Sequence, residues 1–83
     1  MYQNEPNPFK GQTTIGFDLA TSGSATLTIN DLTGKTIMRK TIDGLKGYNS
    51  VTLTANQLGV SGLLYYTVES GEFTATKKMI VIE

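Results

Sequence analysis

The chain has 83 residues, seven Lys+Arg against seven Asp+Glu, and neither Cys nor His. Balanced charge gives no long-range field to steer it toward nucleic acid or an anionic membrane, and the missing Cys and His remove the commonest zinc and thiol chemistry. A chain this short buries only roughly 60 to 65% of its unfolded surface, so without disulfide or zinc staples its stability must come from packing alone.

No stretch approaches the roughly 20 apolar residues that a membrane-spanning helix needs. Residues 1–5 lack the basic start and apolar middle of a signal peptide, and a start that leads directly into domain sequence is expected of a piece whose parent extends upstream. The 83 residues read as one domain, with 1–12 an extended lead-in and 13–83 a β-sandwich.

In the lead-in, Pro6 and Pro8 fix φ and forbid helix. Phe9 is expected to plug the edge of the sandwich while the prolines blunt an exposed strand edge. Thr13–Leu19 then alternates, with Ile15, Phe17 and Leu19 on one face, which predicts a half-buried antiparallel strand. Ser24–Asn30 repeats the pattern through Ala25, Leu27 and Ile29. Ala20–Gly23 is a polar link, and Asp31-Leu32-Thr33-Gly34 places Asp and Gly where a type I turn favours them, which predicts a hairpin.

The return strand, Lys35–Asp43, carries Ile37 and Ile42 out of strict alternation, which predicts a bulge near Met38–Lys40. Gly44 and Gly47 bracket a turn into Tyr48–Ala55, which alternates through Val51, Leu53 and Ala55. Asn56–Gly59 is expected to form one helical turn capped by Asn56, with Leu58 closing an end of the core. Leu63–Val68 is an apolar run of the kind that a central strand covered on both faces shows. After the turn Ser70-Gly71-Glu72, the segment Phe73–Glu83 is long enough to cross the whole sheet. The pattern predicts an all-β, immunoglobulin-like antiparallel β-sandwich of about seven strands.

Chemistry is sparse. Ser22, Ser24, Ser50, Ser61 and Ser70 have no histidine to activate them, and Asp18, Asp31, Asp43, Glu69 and Glu72 fall in turns or on solvent faces. Asn30-Asp31 could meet Asp43 across the hairpin as a calcium site, but Asp31 more simply accepts backbone hydrogen bonds in its own turn. No glycine spacing matches a phosphate cradle. The expectation is a non-enzyme with no catalytic, cofactor or metal residues and no small-molecule substrate.

Four ordered blocks carry a resemblance. Pro6-Asn7-Pro8-Phe9, Leu27–Gly34 with its Asp31 and Gly34 turn, Gly62-Leu63-Leu64-Tyr65-Tyr66, and Thr76-Lys77-Lys78-Met79-Ile80-Val81-Ile82 together resemble the type IX secretion system C-terminal sorting domain over nearly the whole chain. Leu64 stands where that family often has Tyr, and Glu83 where it often has Lys or Arg. The resemblance implies a non-catalytic signal at the C-terminus of a larger secreted protein of Bacteroidetes-type bacteria. It also implies passage from the periplasm through an outer-membrane translocon, removal by a sortase-like peptidase, and a cargo left at the cell surface or released.

The closing strand suggests how such a signal could be read. Lys77, Lys78, Met79, Ile80, Val81, Ile82 and Glu83 form a segment to which a receptor could add a strand or which it could clasp, although lysines on an edge strand also guard against aggregation. Open edges would equally allow a weak homodimer. The competing function is a structural or adhesive immunoglobulin-like module of a bacterial surface protein. A carbohydrate-binding sandwich using Tyr48, Tyr65 and Tyr66 is set aside, because Tyr65 and Tyr66 cannot share one strand face and Trp is absent.

Overall fold

The computed structural model describes residues 1–82; Glu83, the last of the expected recognition residues, lies outside the described residues. The elements are β1 (Gln12–Leu19), β2 (Gly23–Asn30), β3 (Thr36–Gly44), β4 (Gly47–Thr54), a short α1 (Ala55–Leu58), β5 (Gly62–Ser70) and β6 (Phe73–Val81). They form two antiparallel sheets, β1-β4 and β3-β2-β5-β6. The all-β expectation is met with six strands instead of about seven. The lead-in adds no strand and makes isolated bridges: Glu5 pairs antiparallel with Thr14 of β1, and Phe9 pairs parallel with Val81 of β6.

Alternation places the core. Ile15, Phe17 and Leu19 of β1 face Ala25, Leu27 and Ile29 of β2 and their neighbours, and all are buried. Burying one such aliphatic or aromatic side chain contributes about 1.5–3 kcal/mol. Phe9 is 1% exposed, so it does plug the sandwich.

Three local expectations are corrected. β5 lies between β2 and β6, but only Leu64, Tyr66 and Val68 are buried; Leu63, Tyr65 and Thr67 are half-exposed, because the second sheet covers a single face. The bulge falls at Ile37: Ile29 pairs with Met38 and Asn30 with Thr36, so Ile37 is the unpaired residue. Beyond it β3 alternates regularly, and Met38, Lys40 and Ile42 lie opposite Ile29, Leu27 and Ala25. Finally, Thr54 caps α1 in place of Asn56. Its Oγ1 accepts from Gln57 N at 3.2 Å, and Gln57 Oε1 accepts from Thr54 N at 2.9 Å, a reciprocal capping box. Leu58 is buried, as expected.

The lead-in is tied to both sheets. On the β1 side, Tyr2 N donates to Gly16 O at 2.9 Å, Glu5 N to Thr14 O at 3.0 Å and Thr14 N to Glu5 O at 2.8 Å. The Glu5–Pro6 and Asn7–Pro8 peptide bonds, both cis, lie where the chain crosses to β6. Buried Asn4 fills the crossing: its Nδ2 donates to Thr13 Oγ1 at 3.0 Å and to Pro6 O at 3.2 Å, and its backbone N donates to Tyr66 Oη at 2.9 Å. Among the described residues, no buried side-chain polar atom lacks a partner, which is what keeps such a plug affordable in a thin core.

Candidate functional site

Antiparallel connectivity brings the sequence blocks to one end of the sandwich. Asn30, the last residue of β2, pairs with Tyr65 near the start of β5, and Tyr65 pairs with Lys78 near the end of β6. The Asp31–Gly34 turn, Gly62, Tyr65, the Lys78–Ile82 segment and the Pro6–Phe9 crossing therefore gather there.

Period-two geometry divides the closing strand. Lys77, Met79 and Val81 lie opposite Tyr66, Leu64 and Gly62; Met79 and Val81 are buried, and Lys77 is half-buried on the same face. Lys78 and Ile80 lie opposite Tyr65 and Leu63 on the outer face. There Ile80 is 42% and Ile82 47% exposed, so this end presents an apolar patch with a cation on it. Lys78 Nζ sits 5.9 Å from the Tyr65 ring centroid, a cation–π contact of about 0.5–1 kcal/mol at an exposed site. The two lysines thus serve opposite faces. Lys77 has a counterpart in Lys40, which lies opposite buried Leu27 on the other edge strand, and an inward-pointing lysine on an edge strand discourages edge-to-edge pairing.

The outer edge of β6 is partly covered by its own chain. Gln3 Nε2 donates to Lys78 O at 2.7 Å, and Ile80 N donates to Asn7 Oδ1 at 2.9 Å. Phe9 N donates to Ile80 O at 3.0 Å, and Ile82 N donates to Phe9 O at 2.8 Å. The Asn7 side-chain carbonyl stands where a neighbouring strand's main-chain carbonyl would be, and Pro6 and Pro8 carry no N–H to extend the ladder. Strand addition is obstructed at Ile80 and Ile82; their side chains stay accessible.

The turn at this end is rigidly built. Asp31 Oδ1 accepts from Thr33 N at 2.9 Å, Thr33 Oγ1 at 2.6 Å and Lys35 N at 3.0 Å. The Thr33 hydroxyl, more than the backbone N–H groups or the Lys35 charge, holds the Asp31 carboxyl below its usual range. Gly34 closes the turn at φ +89° and Gly62 enters β5 at φ +102°, a region that side chains rarely adopt. Asp31 and Asp43 stand at opposite ends of the hairpin, Asp43 pairing with Ser24, so the calcium-type pairing weighed above is not assembled.

Sequence reasoning missed Asn4 and Thr13, and the hydrogen-bonded role of Tyr66, in building this end. Asn4, Thr13 and Tyr66 are buried and interlocked, a contact between segments far apart in the chain that no local pattern marks. The family model described as "Secretion system C-terminal sorting domain" matches residues 5–82. No curated protein and no solved structure matches the chain.

Proposed function

Given that the chain belongs to the secretion system C-terminal sorting domain family, a family of non-catalytic signals that engage the type IX machinery for export to the cell surface or the medium, we propose how this member is read. The scaffold folds in the periplasm as one domain at the C-terminus of its secreted precursor. An outer-membrane translocon then recognises the outward half of the closing strand, Lys78, Ile80 and Ile82, together with Tyr65 beside them. Lys77, Met79 and Val81 act from the inner face by holding the strand in place. Pro6, Asn7, Pro8 and Phe9 fix its outer edge, and Asp31, Gly34 and Gly62 set the neighbouring turn and strand entry. A sortase-like peptidase removes the domain after passage.

The observation that supports this reading is the gathering of the four sequence blocks at one end, around an exposed apolar patch with a single lysine over a tyrosine ring. Residues 1–83 fused behind a signal peptide and a fluorescent reporter, in a type IX competent host, test it. The expected result is reporter outside the outer membrane. Retention in the periplasm, with a known sorting tail exported in parallel, would refute it.

A further inference from the structure

Two tyrosines, Tyr2 and Tyr48, meet on the outer face of the β1-β4 sheet. Tyr48 lies opposite Asp18 and reaches diagonally over Gly16. A Cβ placed on Gly16 would fall 2.8 Å from Tyr48 Cε1 and 2.9 Å from Cζ, so the ring lies across the strand above Gly16 and a side chain there would push it aside. Tyr48 is 60% exposed, which leaves the face turned away from Gly16 largely bare.

Tyr2 stands beside it with ring centroids 5.9 Å apart and planes tilted by 55°. Its hydroxyl donates to Asp18 Oδ2, and its backbone is pinned to Gly16, yet it too is 53% exposed. Glu5 is held at the rim by its paired bonds to Thr14. Tyr2, Gln3, Glu5, Thr14, Gly16 and Tyr48 line an open depression of about 490 Å³, within the range of about 300–1,000 Å³ typical of small-ligand sites.

We propose that this depression binds a neutral hexopyranose. A flat tyrosine floor suits the apolar C–H face of a sugar ring, and the tilted Tyr2 forms a wall. At the rim the Glu5 carboxylate can accept from sugar hydroxyls, and the Thr14 hydroxyl can donate or accept. A carboxylate in the rim with no cation among the lining residues rejects uronic and other anionic sugars. Covering Gly16 and anchoring the lead-in accounts for the positions of the two rings, but not for two large apolar faces left in water side by side. The sequence offered Tyr48 only with Tyr65 and Tyr66; its partner in the fold is Tyr2.

The test is a titration of the ¹⁵N-labelled 83-residue chain, followed by amide spectra, with glucose, galactose, mannose and N-acetylglucosamine, and with glucuronate as the anionic control. A site this open is expected to bind with a dissociation constant on the order of millimolar. At least one neutral sugar should give saturable shifts centred on Tyr2, Gly16 and Tyr48, with none from glucuronate. Tyr48→Leu, which keeps an apolar cover over Gly16, should weaken binding at least about tenfold. Should that variant lose its dispersed spectrum, Tyr2→Leu provides the same comparison. Absence of saturable shifts with every neutral sugar, equal response to glucuronate, or undiminished binding in a folded variant would overturn the proposal.

Discussion

The Tyr66 hydroxyl accepts a hydrogen bond from Asn4 N at 2.9 Å and donates one to Tyr2 O at 3.1 Å. Tyr66 lies in the middle of the four-stranded sheet, and Asn4 belongs to the segment that precedes the first strand. One phenol oxygen therefore fastens the lead-in to the centre of the fold, and with it the Asn7 and Phe9 contacts that cover the edge of β6.

Replacing Tyr66 with Phe removes this oxygen and leaves the buried Asn4 N–H without its acceptor. The expected cost is about 1–3 kcal/mol of stability, read as a lower urea midpoint at unchanged slope. Amide exchange at Asn4 and Ile82 should accelerate in the same variant. Unchanged stability and unchanged exchange would show that the lead-in holds without the phenol.

Burial, partly offset by the hydrogen bond from Asn4 N, raises the Tyr66 hydroxyl above the usual tyrosine value of about 10. The folded form keeps its proton at a pH where the unfolded form loses it. This contribution to stability is therefore complete below pH about 10 and is lost as pH rises through the folded value. Tyr2 is shifted in the same direction, chiefly by its hydrogen bond to Asp18, so Tyr66→Phe should flatten the alkaline fall in stability without abolishing it. Urea midpoints across that range measure the effect, and coincident alkaline slopes for the two proteins would contradict it.

Asp31 has the opposite linkage. Its carboxyl is held down first by the Thr33 hydroxyl, so the folded form resists protonation more than the unfolded form. The stabilisation is present above the ordinary aspartate value of about 4 and is lost as pH falls through the lower folded value. Asp31→Ala should lower stability at neutral pH and reduce the acid dependence of the melting temperature. Thr33→Val, which removes the hydroxyl alone, should show part of the same change. A variant that keeps the parental acid slope would place the linkage elsewhere.

Strands β1 and β2 were legible because one face of each is buried and the other wet, so Ile15, Phe17, Leu27 and Ile29 appear at strict period two. β5 was read as covered on both sides because Leu63 and Tyr65 add apolar residues to its outer face; those residues belong to the exposed end patch. The bulge was displaced to Met38–Lys40 because Ile37 and Ile42 both pack against the core but are out of period-two step. The structure resolves the mismatch at Ile37 itself, and Met38, Lys40 and Ile42 then alternate opposite Ile29, Leu27 and Ala25. The helix cap was missed by two positions because Thr54 ends a strand and starts a helix at once.

What no local pattern contained is the lead-in's docking. The contacts of Asn4 with Tyr66 and of Asn7 with Ile80 join residues 62 and 73 positions apart, so only the assembled sheets reveal them. The division of the closing strand is the converse case. Period two alone separates Lys77, Met79 and Val81 from Lys78, Ile80 and Ile82, but which set faces the core depends on pairing with Leu64 and Tyr66. Deleting the strand would remove Met79 and Val81 from the core, so it cannot distinguish a lost signal from a lost fold.

The most direct test changes only the outward side chains. Lys78→Ser, Ile80→Thr and Ile82→Thr, combined in the exported reporter fusion, leave the buried Met79 and Val81 untouched. The purified variant should melt within a few degrees of the parent and keep its β-type circular dichroism, while the reporter accumulates in the periplasm. Export at the parental level from this folded variant would contradict recognition through the outer face of the closing strand.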